Sequence, residues 1–366
     1  AYEMMSCYIG LLELYKVTHN AAYLDAVQKT VNDIANTEIN VAGSGSAFES
    51  WYSGRKYQTS PTYHTMETCV TFTWMQLCDK LLALTGNPFY ADQIEKSLYN
   101  ALMAALKDDA SQIAKYSPME GHRCEGEEQC GMHINCCNAN GPRAFALIPD
   151  FAVKKMGNEV YVNYYGDMSA SLENGHNKVL VKQHTTYPVS NVIDITIDVT
   201  KENVFGLHLR VPVWSAQTVI TLNGEELKDI CPGTYHAITR KWKKGDHIQI
   251  ILDMPARLLE QNQMQAIVRG PIVLARDSRF NDGFVDETLV VDSEDGIVKA
   301  EVDSVPGFAW MRLKVPVTVG TDLEGVGMYR NISFCDFASA GNTWDKQVRY
   351  RVWIPRTLDV KKGHLK

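Results

Sequence analysis

No stretch of this 366-residue chain is apolar for long enough to cross a bilayer, which takes about 20 residues. The longest candidate, Ala266–Ala275, is interrupted by Arg269, Gly270 and Pro271. Positive charge is also short: 36 Lys and Arg stand against 43 Asp and Glu, for a net charge of −7. That balance gives a polyanion such as nucleic acid nothing to bind and suits a neutral or weakly charged ligand. Nine cysteines are too sparse for a disulfide-stapled scaffold, and their odd number leaves a thiol over. There is no repeat of fixed period, no low-complexity segment and no signal peptide. The chain opens at Ala1 in sequence that already reads as helical, so a leader and a larger N-terminal region are expected upstream. What is present is ordinary: 45% apolar and 22% charged residues, enough for a real core and, at this length, two or three domains.

The first part of the chain has helical period. Met4, Tyr8, Leu11, Leu12 and Tyr15 form one apolar face, and Tyr23, Ala26, Val27, Val31 and Ile34 a second. Residues 43–61, rich in Gly, Ser, Thr and Tyr, read as a long loop. A third helix is expected from Tyr63 to Leu84, stopped by Thr85-Gly86-Asn87-Pro88. A fourth carries Tyr90, Ile94, Leu98, Leu102 and Leu106. Residues 109–138 read as a loop with a short hairpin, and a last helix runs from Asn140 to Phe151.

From Glu159 alternation replaces the helical period. Strands are expected at residues 160–165, Val192–Val199, Phe205–Val211, Val219–Leu222, His247–Leu252, Ala266–Val268 and Arg349–Ile354. Asn223-Gly224 is a hairpin turn signal, and Lys244-Gly245-Asp246 marks another turn. Paired helices followed by short strands imply an α+β multidomain chain: part of an (α/α)6-toroid, then an antiparallel β-sandwich. About five helices are read where six hairpins are needed, so residues 1–155 are expected to be the C-terminal part of the toroid. Residues 156–275 then form the sandwich, and residues 276–366 a further β-rich region belonging to it or packed on it.

Six of the nine cysteines lie between Cys69 and Cys137, ends included. Glu67-Thr68-Cys69 opens the third helix, and Cys136-Cys137 stands at the mouth of the fifth. Three thiolates and a carboxylate make a chemically sensible tetrahedral zinc set. Adjacent cysteines reach one ion most easily at a loop-to-helix junction, and a helix N-terminus favours thiolate over thiol. A cysteine on a helix is, however, most often core, which is the reading for Cys78. Spacing alone also leaves open a set of Cys124, Cys130, Cys136 and Cys137, with His122 or His133, and a Cys124–Cys130 disulfide.

These residues resemble the active-site signature of the β-L-arabinofuranosidase superfamily, glycoside hydrolase family 127 and its relatives. The resemblance is carried by Phe48-Glu49-Ser50-Trp51, Tyr63-His64-Thr65-Met66-Glu67-Thr68-Cys69 and Cys136-Cys137-Asn138-Ala139-Asn140-Gly141-Pro142-Arg143. Leu207-His208-Leu209-Arg210-Val211-Pro212-Val213-Trp214 and Val268-Arg269-Gly270-Pro271-Ile272-Val273 add to it, and residues 280–330 match less clearly.

The resemblance implies a retaining exo-glycosidase acting on β-L-arabinofuranosides or related plant-glycan sugars. By it Cys136 is the nucleophile, Glu67, Cys69 and Cys137 complete a Zn2+ shell with Cys136, and Glu49 is the general acid/base. Trp51, Tyr63, His64 and His133 are candidate sugar contacts, with Tyr52 and Tyr57 as further stacking surfaces. The family's sugar pocket also draws on the toroid's N-terminal half, and residues 123–130 look like a branch-specific variation. Two other readings stand beside this one: a non-catalytic carbohydrate-binding or scaffold protein with a structural zinc, and a redox or metal sensor built on the clustered cysteines. Zinc thiolates survive in a bacterial cytoplasm and, protected by metal, in a periplasm, so either compartment is preferred to a membrane. The sequence does not indicate an oligomeric state.

Overall fold

The computed structural model describes residues 1–60, 63–129, 131–174, 177–303, 307–321 and 327–356. Among them no helix is long and apolar enough to cross a membrane. The chain forms two compact units. One comprises Ala1–Leu77, Lys96–Pro142 and Pro255–Lys366; the other comprises Cys78–Glu95 and Arg143–Met254.

Six α-helices are described: α1 (Tyr2–Thr18), α2 (Ala21–Thr37), α3 (Gly54–Tyr57), α4 (Thr68–Thr85), α5 (Pro88–Ser97) and α6 (Cys137–Ala152). α1 and α2 are joined by a two-residue link. His19 takes the left-handed conformation at the end of α1, and the Asn20 side chain accepts the Ala22 N–H at the start of α2. The third expected helix begins later than its apolar pattern suggests. Met66 sits at φ 57, which breaks helical geometry, so α4 starts at Thr68 and Glu67 lies just before it. α5 passes into a π-helical turn at Leu98–Leu102. No hairpin is described within residues 109–138. The short strand there, Glu120–Gly121, pairs instead with Tyr350–Arg351.

In the first unit the strands form one large sheet. Its main path runs through Val290–Val291, Arg312–Thr321, Gly327–Asp336, Ile272–Asp277, Met264–Arg269, Ala256–Gln261, Ile297–Val298 and Ser293–Glu294. Helical and sheet residues share a core containing Ala42, Met66, Ala101, Met119, Val273, Phe337, Tyr350 and Trp353. Arg123, which reads in sequence as part of a variable polar segment, is a buried anchor. Its guanidinium donates to the carbonyls of Ala104, Phe337 and Ala340 and lies 4.7 Å from the ring centres of both Phe337 and Tyr350. A buried arginine is tolerable where its donors are met in this way.

The second unit holds a four-stranded and a six-stranded sheet. The four-stranded sheet is antiparallel except where Glu159–Val162 runs parallel to Asn203–Val211. The six-stranded sheet is antiparallel throughout, and its strand Val192–Val199 alternates half-buried and buried residues as its sequence predicts. Asn223 and Gly224 both take positive φ between paired Leu222 and Glu225, the geometry a two-residue hairpin demands. In the same unit Arg210 is fully buried and reaches Asp92 and Glu95 at 2.5 Å each, with the Asn163 carbonyl at 2.6 Å.

Candidate metal and catalytic centre

Glu67, Cys69, Cys136 and Cys137 converge although the two pairs are far apart in sequence. Their ligand atoms all lie within 4.8 Å of one another. Each pair is placed by a helix start. At α4 the Thr68 N–H donates to the Lys115 carbonyl at 2.9 Å and its hydroxyl to the Ala114 carbonyl at 2.8 Å. At α6 the Asn135 side chain accepts the Cys137 N–H at 3.0 Å, and the Gln129 side chain accepts the Cys136 N–H at 2.8 Å. The Asn140 amide, one turn into α6, lies 3.2 Å from the Cys69 sulfur.

The donor set fits a thiophilic divalent ion. A tetrahedron with ~2.3 Å metal–sulfur bonds has edges of about 3.8 Å. The Cys136–Cys137 sulfur separation is 3.9 Å, and Glu67 Oε1 lies 3.5 Å from Cys136 and 3.7 Å from Cys137. The Cys69 sulfur sits closer, 2.9 Å from Cys136 and 3.2 Å from Cys137, beyond any disulfide bond length. Glu67 Oε2 is buried with no hydrogen-bond partner, an orphaned acceptor of the kind a cation satisfies.

The electrostatics say the same. Hydrogen bonds from Cys137 and Cys69 hold the Cys136 thiol down to about 2, while hydrogen bonding to Cys136 pushes both of those thiols above the ordinary range. Burial, with the charges of Glu49 and Cys136, pushes Glu67 up to about 7.

Glu49 lies on the Gly/Ser loop. The Glu38 carboxylate pins that loop by accepting the N–H groups of Tyr52, Ser53 and Gly54 at 3.0–3.1 Å. Phe48 and Glu49 take φ of 49° and 64° in succession, a costly conformation that clusters at functional sites. The Glu49 carboxylate lies 3.7 Å from the Lys115 ammonium.

The candidate sugar contacts divide. His64 stacks on Phe48 (4.5 Å between centroids), meets the Tyr116 ring edge-on (5.0 Å) and pairs with Glu127 at 2.9 Å. Tyr63 packs against His64 and Tyr116, and its hydroxyl meets the Cys124 thiol. Tyr116 is bridged through its backbone to Glu67, which ties this aromatic group to the cluster. Trp51 is engaged elsewhere, its N–H directed at the Met4 sulfur at 3.3 Å. His133 is 91% exposed and pairs with Glu128 at 3.0 Å. It lines an open pocket of about 500 Å³ with Gln112, Glu125, Asn135 and Asn138. That pocket adjoins Cys136 through its sequence neighbours but is not lined by the four ligands.

Cys78 is buried and outside the cluster, as its helix position implied. Cys130 lies outside the described residues, and with it the alternative metal set and the disulfide to Cys124. Lys115, Tyr116, Gln129 and Asn140 were not singled out by the sequence reading. Only Asn140, one turn beyond the cysteine pair, carried a usable signal.

Comparison with known proteins places the chain in a family and a fold. A sequence profile described as "Beta-L-arabinofuranosidase, GH127 catalytic domain" matches residues 1–150, and one for the GH127 middle domain matches residues 159–254. The non-reducing end β-L-arabinofuranosidase of Bifidobacterium longum subsp. longum is 24% identical over an alignment covering 75% of this chain and 45% of that protein. A solved GH127 β-arabinofuranosidase superposes with a TM-score of 0.81 at 21% identity, covering 96% of this chain and 59% of that one. A GH127 β-L-arabinofuranosidase from Geobacillus stearothermophilus T6 does so with a TM-score of 0.83 at 18% identity, covering 98% and 60%. The chain thus spans about half the length of the curated relative it matches.

Proposed function

This chain belongs to the β-L-arabinofuranosidase superfamily of glycoside hydrolase family 127, and from that premise we propose that it carries the thiol and metal centre of a retaining exo-glycosidase acting on β-L-arabinofuranosides or related plant-glycan sugars. The observation that carries the reading is the convergence of Glu67, Cys69, Cys136 and Cys137 with Glu49 held beside Lys115. Zn2+ is the ion best matched to three thiolates and one carboxylate, and when bound it keeps the thiols deprotonated near neutral pH.

In the reaction proposed, the Cys136 sulfur attacks the anomeric carbon. The C–S bond forms as the glycosidic C–O bond breaks, and protonated Glu49 gives its proton to the departing oxygen. Glu49, now a carboxylate, takes a proton from water as that water attacks the same carbon. The C–S bond breaks and the Cys136 thiolate is restored. This is the double displacement of retaining glycosidases with sulfur in place of a carboxylate. His64, Tyr63 and His133 are proposed to meet sugar hydroxyls, and Trp51 to shape the loop that carries Glu49.

We further propose residues 1–155 as the C-terminal part of an (α/α)6-toroid and a β-sandwich domain built from the four- and six-stranded sheets of the second unit; of the expected sandwich span 156–275, the strands Ala256–Gln261 and Met264–Arg269 lie instead in the large sheet that continues through residues 276–366. In the intact protein, Cys136→Ser should reduce hydrolysis of an aryl β-L-arabinofuranoside by about 10²-fold or more, and Glu49→Gln should reduce hydrolysis of a methyl β-L-arabinofuranoside by as much. Glu49→Gln should keep its metal. Wild-type turnover rates in Cys136→Ser would remove the nucleophile. The closed four-ligand set also supports a second reading, a sugar-binding protein with a structural metal, since catalytic zinc sites usually keep an open position. Sugar binding without turnover across a panel of glycosides would favour it.

A further inference from the structure

We propose that Lys115 is a positioning residue that holds the Glu49 carboxylate in its working orientation, a role that rests on the acid/base assignment above. Among the described residues, no side chain other than Lys115 is hydrogen-bonded to or ion-paired with that carboxylate, which stands 48% exposed on a loop tip with two successive positive φ values. A carboxylate so placed samples many rotamers unless something selects one, and proton transfer to a leaving oxygen needs hydrogen-bond geometry.

Lys115 is built to make that selection. Its side chain is only 10% exposed, so its charge is poorly screened. Its backbone is clamped on both sides: the N–H donates to the Glu125 carbonyl at 2.7 Å, and the carbonyl accepts the Thr68 N–H at 2.9 Å. Residue 126 is a glycine at φ +90, where a Cβ would fall 2.6 Å from the Lys115 Cβ, so the lysine stem passes where no larger neighbour fits. The ammonium lies 5.2 Å from the centre of the Tyr116 ring. A cation here opposes a metal ion held nearby, and its placement makes sense if it serves the carboxylate that must act on the substrate. When Glu49 gives up its proton, the carboxylate formed is left facing this fixed positive charge.

A lysine that only balanced the charge of the cluster would alter metal retention and the reactivity of the Cys136 sulfur, and so slow all substrates alike. One that acts through Glu49 matters most where the leaving group needs a proton. The test compares methyl and p-nitrophenyl β-L-arabinofuranosides on the intact, metal-loaded protein. Lys115→Met should lower kcat/KM for the methyl glycoside about tenfold or more and for the nitrophenyl glycoside by about threefold or less. Lys115→Gln, which keeps a polar end, should show the same split. Lys115→Arg should bring the methyl glycoside back to within about threefold of wild type. Adding Lys115→Met to Glu49→Gln should cost nothing more. Equal losses on both substrates, or no recovery with arginine, overturn the proposal. Glu49→Gln acting like wild type overturns the acid/base assignment itself, and the role of Lys115 with it.

Discussion

Replacing Arg210 with methionine gives the sharpest test of how the second unit is held together. Its guanidinium is fully buried and answers two buried carboxylates, Asp92 and Glu95, at 2.5 Å each. Met fills much of the space but removes the arginine donors from both carboxylates and the Asn163 carbonyl, leaving Asp92 with the Val213 N–H at 3.2 Å and Glu95 with the Tyr187 hydroxyl at 2.7 Å. Removing one partner of a buried charge network costs about 3–5 kcal/mol, most of it the penalty of the charges left behind. For a unit of roughly 130 residues that is a loss of about 11–18 °C in Tm. The pH dependence sharpens the test. Burial, offset in part by Arg210, pushes Asp92 up to about 6 from its ordinary 3.8. The native state therefore holds that proton more tightly than the unfolded chain. Asp92's favourable contribution is full below about pH 4 and is lost as pH rises through 6. Without Arg210 the ionised form is disfavoured further, so the deficit of Arg210→Met should be about 4 kcal/mol at pH 7.5 and about half that at pH 4. Urea unfolding at the two pH values measures both. A deficit below about 1 kcal/mol at pH 7.5, or the same deficit at both pH values, would refute the reasoning.

Two further substitutions probe the first unit. Asn140→Ala removes the amide that faces the Cys69 sulfur and should weaken metal affinity about 10–100-fold, as read by competition with a chromophoric chelator. Gly43→Ala places a Cβ 2.6 Å from the Ser97 backbone nitrogen at φ +80, where backbone must move. It should destabilise the fold by about 2 kcal/mol or more in urea titration.

The Glu67, Cys69, Cys136 and Cys137 cluster was legible in the sequence through the resemblance of Glu-Thr-Cys and Cys-Cys to a known family signature; spacing alone left the set with Cys124 and Cys130 open. Lys115 and Tyr116 were illegible for the opposite reason: a lysine followed by a tyrosine carries no signal until the Thr68 and Glu125 backbones clamp it beside Glu49. The late start of α4 was hidden too. Met66 takes positive φ without being glycine, so the apolar period appears to begin at Tyr63. Strands with clean alternation were found almost to the residue, Val192–Val199 and Val219–Leu222 among them. Thr234–Trp242 was missed because its alternation is carried by half-buried residues such as Tyr235 and Arg240 rather than by apolar ones. Arg312–Thr321 was missed because Pro316 and Gly320 read as breakers, yet Pro316 is paired with Asn331 inside the ladder.

A metal held by four protein ligands and a nucleophile drawn from those same ligands make opposing demands, since a thiolate bound to a cation is a damped nucleophile. The placement of the three sulfurs suggests how one chain meets both. Cys69 and Cys137 are buried at 2% and 0% exposure, each within the first turn of its helix, where packing on all sides fixes the side chain. Cys136 stands one residue before α6, half-buried, its N–H held by the Gln129 side chain rather than by helical bonding. On the function proposed above, Cys136 is the thiol least confined by packing, and Glu67, Cys69 and Cys137 would be the donors that keep hold of an ion. On this reasoning the loss of Cys69 or Cys137 is first a loss of metal, whereas the loss of Cys136 is first a loss of turnover.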